Sequence, residues 1–308
     1  MSMEQLDGSV VHLEWKNVAI ASTLLFVNGL ISLWFGLGLE RTLLVSALRC
    51  IVQLTIMGYV LEPIFSNDGP LFVFPFAFLL MFVSAIEIVY NKSKFRHDWM
   101  FGSVLFSMVL STGMVNYIGN AYAIGAAPWF GAREFIPTLG MLLGNSMAGV
   151  AVGLNSTMSQ LTDKKERIEM YLAFGATTWE AARPVAIEAI KLALLPTLNA
   201  MSVMGLISIP GMMTGQILGG TPIADAVRYQ QIIMFMIVAS CSIATVVTVL
   251  VCIYVTFDQK SRLLVDRIKK VERKRSTIAL WQERIESLLK SAVRSRHGDT
   301  HEQRPLLG

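Results

Sequence analysis

The chain has 308 residues, of which 54% are hydrophobic and 16% charged, with a mean hydropathy of +0.55. A soluble domain carries about a quarter charged residues, so this composition excludes a soluble globular protein and predicts an integral membrane one. The formal net charge of +4 is unevenly placed. From Asp258 onward thirteen Lys/Arg face seven Asp/Glu, which leaves the preceding chain slightly acidic. A basic excess confined to the tail suits a membrane surface or a protein partner and argues against a nucleic-acid domain.

Residues 1–17 include Glu4, Asp7 and Glu14 and lack a basic leading region, so no cleaved signal peptide is expected there. A bilayer-spanning helix takes about 20 mostly apolar residues. Seven stretches meet that length: Val18–Leu39, Thr42–Leu61, Leu71–Tyr90, Met100–Tyr122, Phe135–Met158, Leu192–Ile217 and Ile232–Phe257. The expected fold class is therefore all-α and membrane-integral, with a seven-span domain over 18–257 and a tail over 258–308. Lysine and arginine concentrate in Asn91–Asp98, in Asp163–Lys191 and in the tail, whereas Glu62–Gly69 has none. By the positive-inside rule those basic segments are cytosolic, the N-terminus is outside and the C-terminus inside.

The segment 160–191 is the one sizeable cytosolic connection between spans. It reads as two short amphipathic helices, Lys164–Phe174 and Thr178–Lys191, joined by Gly175-Ala176-Thr177, with Thr178 as N-cap of the second. In the tail, Leu264, Ile268, Val271, Ile278, Ile285 and Leu289 recur at helical spacings from Leu263 to about Val293. That pattern fits either a coiled coil or a basic amphipathic helix on the anionic inner leaflet.

Cys50, Cys241 and Cys252 all lie in apolar runs and read as small buried hydrophobes, with neither a disulfide framework nor a metal-binding pattern. The chain has no GxxxxGK[ST] phosphate loop, no HExxH and no GxSxG. It is expected to be a non-enzyme that neither hydrolyses ATP nor binds a cofactor directly.

Ionisable groups near the membrane core mark functional positions because burying their charge is costly. Glu87 lies near the inner end of the third stretch and Glu134 at the outer mouth of the fifth. Each reads either as an ion-pair member, Glu87 with Arg49 and Glu134 with Arg133, or as a cation ligand on a transport path. The fifth stretch carries Pro137 near its start, then Gly140, Gly144 and Ala148 at four-residue spacing and Asn145 beside them. Such a stripe of small residues lets helix backbones approach closely. The sixth carries the same device in Gly211, Gly215 and Gly219, together with Pro210, Met212, Met213, Thr214 and Gln216. Pro210 is expected to kink or break that span, and broken helices at membrane depth occur where they pack in protein or line a cavity. The methionines read as adaptable filler, and no metal site is assigned.

The runs REFIPTLGMLLGN (Arg133–Asn145), YLAFGAT (Tyr171–Thr177), PTLNAMSVMGLISIPGMMTGQILGG (Pro196–Gly220) and AVRYQ (Ala226–Gln230) resemble the FetB-like ABC-transporter permeases. That family includes bacterial iron-export permeases and plant permeases involved in aluminium tolerance. The resemblance covers roughly residues 41–257. It implies a permease subunit that pairs with a separate nucleotide-binding ATPase, homodimerises, and moves a metal ion or, alternatively, a nucleotide sugar or other solute. It also implies that Glu169, Gly175, Ala176 and Thr177 take the place of the EAAxxxG coupling loop of ABC importers. Met170-Tyr171 replaces the two alanines of that motif. Two rivals, a seven-span receptor and a proton-coupled secondary transporter, lack respectively a DRY-like triplet and an inverted repeat. Finally, Glu302 with Leu306-Leu307 fits the acidic dileucine pattern [DE]xxxL[LI], a sorting signal that would place the chain in a eukaryotic plasma or vacuolar membrane.

Overall fold

The structure is a computed structural model that describes residues 14–67, 69–97, 99–258, 262–264 and 267–270. It divides into two units, 1–68 and 69–308. In the first, α1 (Trp15–Trp34) and α2 (Glu40–Asn67) form a helical hairpin. Its turn passes through Gly36 and Gly38, both at positive φ, and Ser32 pins it. The Ser32 hydroxyl accepts from Leu39 N at 3.0 Å and donates to Glu40 Oε2 at 2.9 Å. Cys50 is exposed on α2, so burial is found only for Cys241 and Cys252.

The second unit begins with α3 (Pro70–Ile86), which runs on through a π-helical stretch, Glu87–Lys92. The tight basic loop contains β1 (Phe95–Arg96). The next span, Met100–Ile124, alternates α4 (Met100–Met108) and α5 (Met114–Ile118) with π-helical stretches at Val109–Gly113 and Gly119–Ile124. Then follow α6 (Ala132–Asp163), α7 (Lys165–Ala173), α8 (Thr178–Val203), α9 (Gly211–Leu218) and α10 (Ile223–Thr256). β2 (Lys269–Lys270) pairs antiparallel with β1, Arg96 opposite Lys269. Among the described residues, seven helices are long and apolar enough to cross a membrane. The chain is thus an all-α membrane protein with one two-stranded clasp.

The core forms where α6, α8 and α10 cross. A methyl group added at Gly149 would sit 2.5 Å from Cys241 Sγ, and one at Gly153 would sit 3.0 Å from Thr245 Cγ2 and 3.6 Å from Ala193 Cβ. These glycines let the three backbones approach. Hydroxyl pairs tie α6 to α10, Ser146 to Ser240 at 3.0 Å, and α4 to α10, Ser107 to Thr248 at 2.6 Å. In an apolar medium such bonds satisfy groups that lipid cannot.

Four expectations are corrected. The sixth span is Thr178–Val203 and not Leu192–Ile217. The predicted second cytosolic helix is its first half, because nothing interrupts the helix between Lys191 and Leu192. The N-cap is Thr177 and not Thr178: its hydroxyl accepts from Glu180 N at 3.3 Å while Glu180 Oε2 accepts from Thr177 N at 2.8 Å, a capping box. Among the described residues of the second unit, neither predicted glycine stripe packs against another helix. Gly140, Gly144, Gly211 and Gly215 have no atom within 4 Å of an added Cβ, and Gly219 meets only its own turn. Lastly, no helix starts at Leu263: the described tail residues hold β2, and the remainder of the predicted tail helix lies outside the described residues.

Candidate coupling and translocation elements

The coupling segment sits beyond the end of α6. Ile168 of α7 and Ala181, Ala182, Val185 and Ala186 of α8 join Leu161, Val249, Ile253 and Phe257 in one buried apolar cluster. Burial of that surface, at roughly 25 cal/mol per Å², fastens α7 and the start of α8 to the C-terminal ends of α6 and α10. Lys164 adds an ion pair to Glu188 at 2.9 Å. The opposite face of the segment is open. Phe174 is 84% exposed, with Met170 and Trp179 exposed nearby, flanking the turn at Gly175, where φ is +91°. Only glycine enters that left-handed conformation without strain. Glu169, Ala176 and Thr177 border this tip, Glu169 holding Lys165 at 3.7 Å, a surface pair of small energetic consequence. Exposed aromatic surface beside a run of charged residues is the composition that protein contacts use. Sequence spacing located the tip but missed Phe174 and Trp179, whose aromatic size in a charged segment was the available signal.

At the other end of the spans, α8 stops early. Met204 Sδ accepts from Gln230 Nε2 at 3.8 Å. Gln230 lies seven residues into α10, so α8 ends about 10 Å short of the level where α10 begins. Gly205 at φ +85° turns the chain out of α8, and Pro210 caps α9 as its N-cap, with Thr214 N returning to Pro210 O at 3.1 Å. The helix is thus broken, as one of the two expected outcomes, but the break precedes Pro210, which starts a new helix. Met212, Met213 and Gln216 are half-buried, while Gly211, Thr214 and Gly215 are exposed. Buried Oε1 atoms of Gln216 and Gln230 lack hydrogen-bond partners, so this broken segment holds unmet acceptors at its outer end.

Glu134 is exposed in the first turn of α6, and among the described residues it forms no ion pair with Arg133. Pro137 falls within the first turns of α6, half-buried. Gly140, Gly144, Asn145 and Ala148 form an exposed strip down α6, Asn145 Nδ2 donating to Met141 O at 2.9 Å. Glu87 opens the π-helical end of α3 and accepts a hydrogen bond from Asn91.

A polar node in the fourth span escaped sequence reasoning. Asn116, Asn120 and Thr138 are fully buried. Thr138 Oγ1 donates to Asn116 Oδ1 at 2.8 Å, and Asn120 Nδ2 donates to Asn116 Oδ1 at 3.0 Å. The node joins α6 to a π-helical stretch, a local widening common at functional sites. Two asparagines four residues apart in an apolar run were its signal. Among the described residues, no group of three or more His, Cys, Asp and Glu could hold a metal ion. The sorting-signal residues Glu302, Leu306 and Leu307 lie outside the described residues.

Comparison with known proteins places this architecture. The uncharacterised protein family UPF0014 matches residues 15–257, which ends at the last residue before the tail. A UPF0014 membrane protein of Synechocystis is 31% identical over 84% of this chain and all of its own length. The probable iron export permease protein FetB of Escherichia coli is 30% identical over 83% of this chain and 96% of its own. Protein ALUMINUM SENSITIVE 3 of Arabidopsis thaliana is 27% identical over 70% and 78% respectively. No solved structure matches the chain. From the family match across its spans and its full-length likeness to these relatives, the chain belongs to the UPF0014 family of membrane proteins.

Proposed function

We propose that the chain is the transmembrane permease subunit of an ABC-type transporter that exports a metal ion of iron-like chemistry and so confers metal resistance. Energy comes from ATP hydrolysed on a separate nucleotide-binding subunit. The observation that carries this reading is the coupling tip. A cytosolic helix pair presents Phe174, Met170 and Trp179 to water around a glycine turn, yet is fastened through its back to α6 and α10. Such an element can seat in a partner's cleft and pass that partner's movement to the spans. The names of the Escherichia coli and Arabidopsis thaliana relatives support a metal cargo. The cargo is treated as a passing substrate, in keeping with a path of amide, hydroxyl and thioether groups and isolated carboxylates.

In this reading the exposed strip Gly140–Gly144–Ala148 of α6 meets a second copy of the chain, and the path runs between copies past Asn145, Glu134 and α9. The membrane is the plasma or the vacuolar membrane. A tagged chain should co-purify with a phosphate-loop ATPase, and inside-out vesicles containing both should accumulate ferrous iron only with ATP. Iron accumulation by the chain alone, driven by a proton gradient, would overturn the reading.

A further inference from the structure

Beyond α10 the described residues fold back onto the end of that helix. Phe257 pairs with Leu263, Asp258 N donates to Arg262 O at 3.0 Å, and Leu264 N donates to Thr256 O at 3.0 Å. The chain therefore doubles back along the inner end of α10. Leu263 is buried in the coupling cluster, with Ile268 packed against it. Arg267 Nη1 donates to Val255 O at 3.0 Å, satisfying a carbonyl that the end of α10 leaves open. Lys269 and Lys270 then pair with Arg96 and Phe95 of the loop between the third and fourth spans.

That loop is itself fixed. Asn155 of α6 accepts from Lys94 N at 2.7 Å and donates to Lys92 O at 3.2 Å. Arg96 caps the π-helical end of α3, donating to Val89 O at 3.2 Å and Tyr90 O at 3.3 Å, with its guanidinium 4.7 Å from the Tyr90 ring. Two basic segments far apart in sequence are thereby locked together. Lys92, Lys94, Arg262 and Arg267 are exposed on them, four cations against one described acid on the same segments, Asp258. The clasp lies where candidate spans Pro70–Lys92 and Ile223–Thr256 end and Met100–Ile124 begins. That is headgroup depth. Exposed Trp99 and Tyr90 flank it, as interfacial aromatics do.

We propose that this clasp is a binding surface for anionic phospholipid of the leaflet on the coupling side, with Lys92, Lys94, Arg262 and Arg267 holding the headgroup phosphates. Charge complementarity selects the occupant: fixed cations at headgroup depth, between aromatic anchors, face a leaflet that carries the opposite charge. Part of the surface comes from residues beyond 257, where the family match ends, so the property belongs to this chain's tail as well as to its core. It does not depend on the identity of the cargo.

The test uses the full-length chain in mixed micelles, with native mass spectrometry to count bound dioleoyl phosphatidylserine against dioleoyl phosphatidylcholine. The wild type should retain phosphatidylserine about tenfold over phosphatidylcholine, a preference that added salt weakens. The quadruple variant Lys92→Gln, Lys94→Gln, Arg262→Gln, Arg267→Gln should fall to within about twofold. Because Arg267 also caps α10, the double variant Lys92→Gln, Lys94→Gln is measured beside it and should show an intermediate loss with unchanged thermal stability. Equal retention of the two lipids by the wild type would overturn the proposal, as would a preference unaltered in both variants. Loss of ATPase association with lipid preference intact would likewise overturn it, assigning the surface to the protein partner.

Discussion

The glycines of α6 fall on two faces, and substituting them separates packing within the chain from packing between chains. At Gly149 an alanine methyl would lie 2.5 Å from Cys241 Sγ and 3.1 Å from Thr245 Oγ1, both on fully buried residues of α10. Ordinary contact requires about 1 Å more, so the helices must part or Cys241 must leave its rotamer. Overpacking of this kind costs about 1–3 kcal/mol, against which alanine's better helix propensity returns up to about 1 kcal/mol. The expected net loss for Gly149→Ala is about 1–2 kcal/mol, or roughly 2–8 °C in Tm at about 2–4 °C per kcal/mol. Gly140→Ala and Gly144→Ala meet nothing within 4 Å and should leave the Tm of the isolated monomer unchanged or slightly raised. In the assembled transporter those two should weaken self-association, because the proposed second copy needs the missing methyl groups. Thermal denaturation of monomer in detergent, beside single-molecule photobleaching counts in nanodiscs, reads both effects. If Gly149→Ala leaves Tm unaltered, or Gly144→Ala destabilises the monomer as much as Gly149→Ala, the assignment of the two faces is wrong.

Phe174→Ala should abolish co-purification of the ATPase while leaving Tm within about 1 °C, since the ring is 84% exposed and little of the chain packs on it. Gly175→Pro should uncouple ATP hydrolysis from transport without altering cargo affinity: proline locks φ near about −65°, whereas this position needs +91°. Thr177→Ala removes one side of the capping box and should cost about 1 kcal/mol, read as earlier proteolysis of the α7–α8 connection. Glu134→Gln should lower transport at least several-fold with ATPase association intact, measured by co-purification and vesicle uptake. Normal transport in that variant removes the carboxylate from the path.

Hydropathy located six of the seven spans and the outer half of the other, because a membrane helix must satisfy its backbone internally and face lipid with apolar side chains, a constraint strong enough to survive local irregularity. What it could not locate was the end of one helix and the start of another. Thr178–Lys191 is charged and Leu192–Val203 apolar, so the change in polarity at Lys191 reads as a boundary, yet the backbone passes through it as α8 without interruption. Polarity reports where a helix meets water; the capping box at Thr177 and the positive φ at Gly205 report where it begins and ends. The glycine stripes left their partner open for a related reason. Four-residue spacing says that a face is smooth, and both Gly149/Gly153 and Gly140/Gly144 are smooth, but only tertiary contact tells which face another helix of the chain occupies. The coupling tip was legible from its glycine and flanking glutamate, whereas the exposure of Phe174 and the clasp between β1 and β2 arise from contacts distant in sequence.

The two ends of the transport domain are mechanically unlike, and this difference bears on how a stroke could travel. At the inner end α7, α8, α6 and α10 share one apolar cluster; a push on the coupling tip cannot move α8 without also loading α6 and α10, because close-packed interiors transmit strain and do not absorb it. Along the middle, Gly149, Gly153, Ser146 and Ser240 keep the same helices in register. At the outer end that continuity stops. α8 ends at Val203, and the connection to α10 passes through Gly205, Pro210, α9 and Gly220, with both glycines at positive φ. Backbone that can change conformation is thus placed at the opposite end from the proposed ATPase contact, beside the unmet acceptors of Gln216 and Gln230. In the proposed permease, a rigid lever with its compliant joint at the outer mouth would open that mouth when the inner end is driven. Stiffening the joint by Gly205→Ala, at φ +85°, should therefore slow transport while ATP hydrolysis by the partner continues, and equal slowing of both activities would place the compliant joint elsewhere.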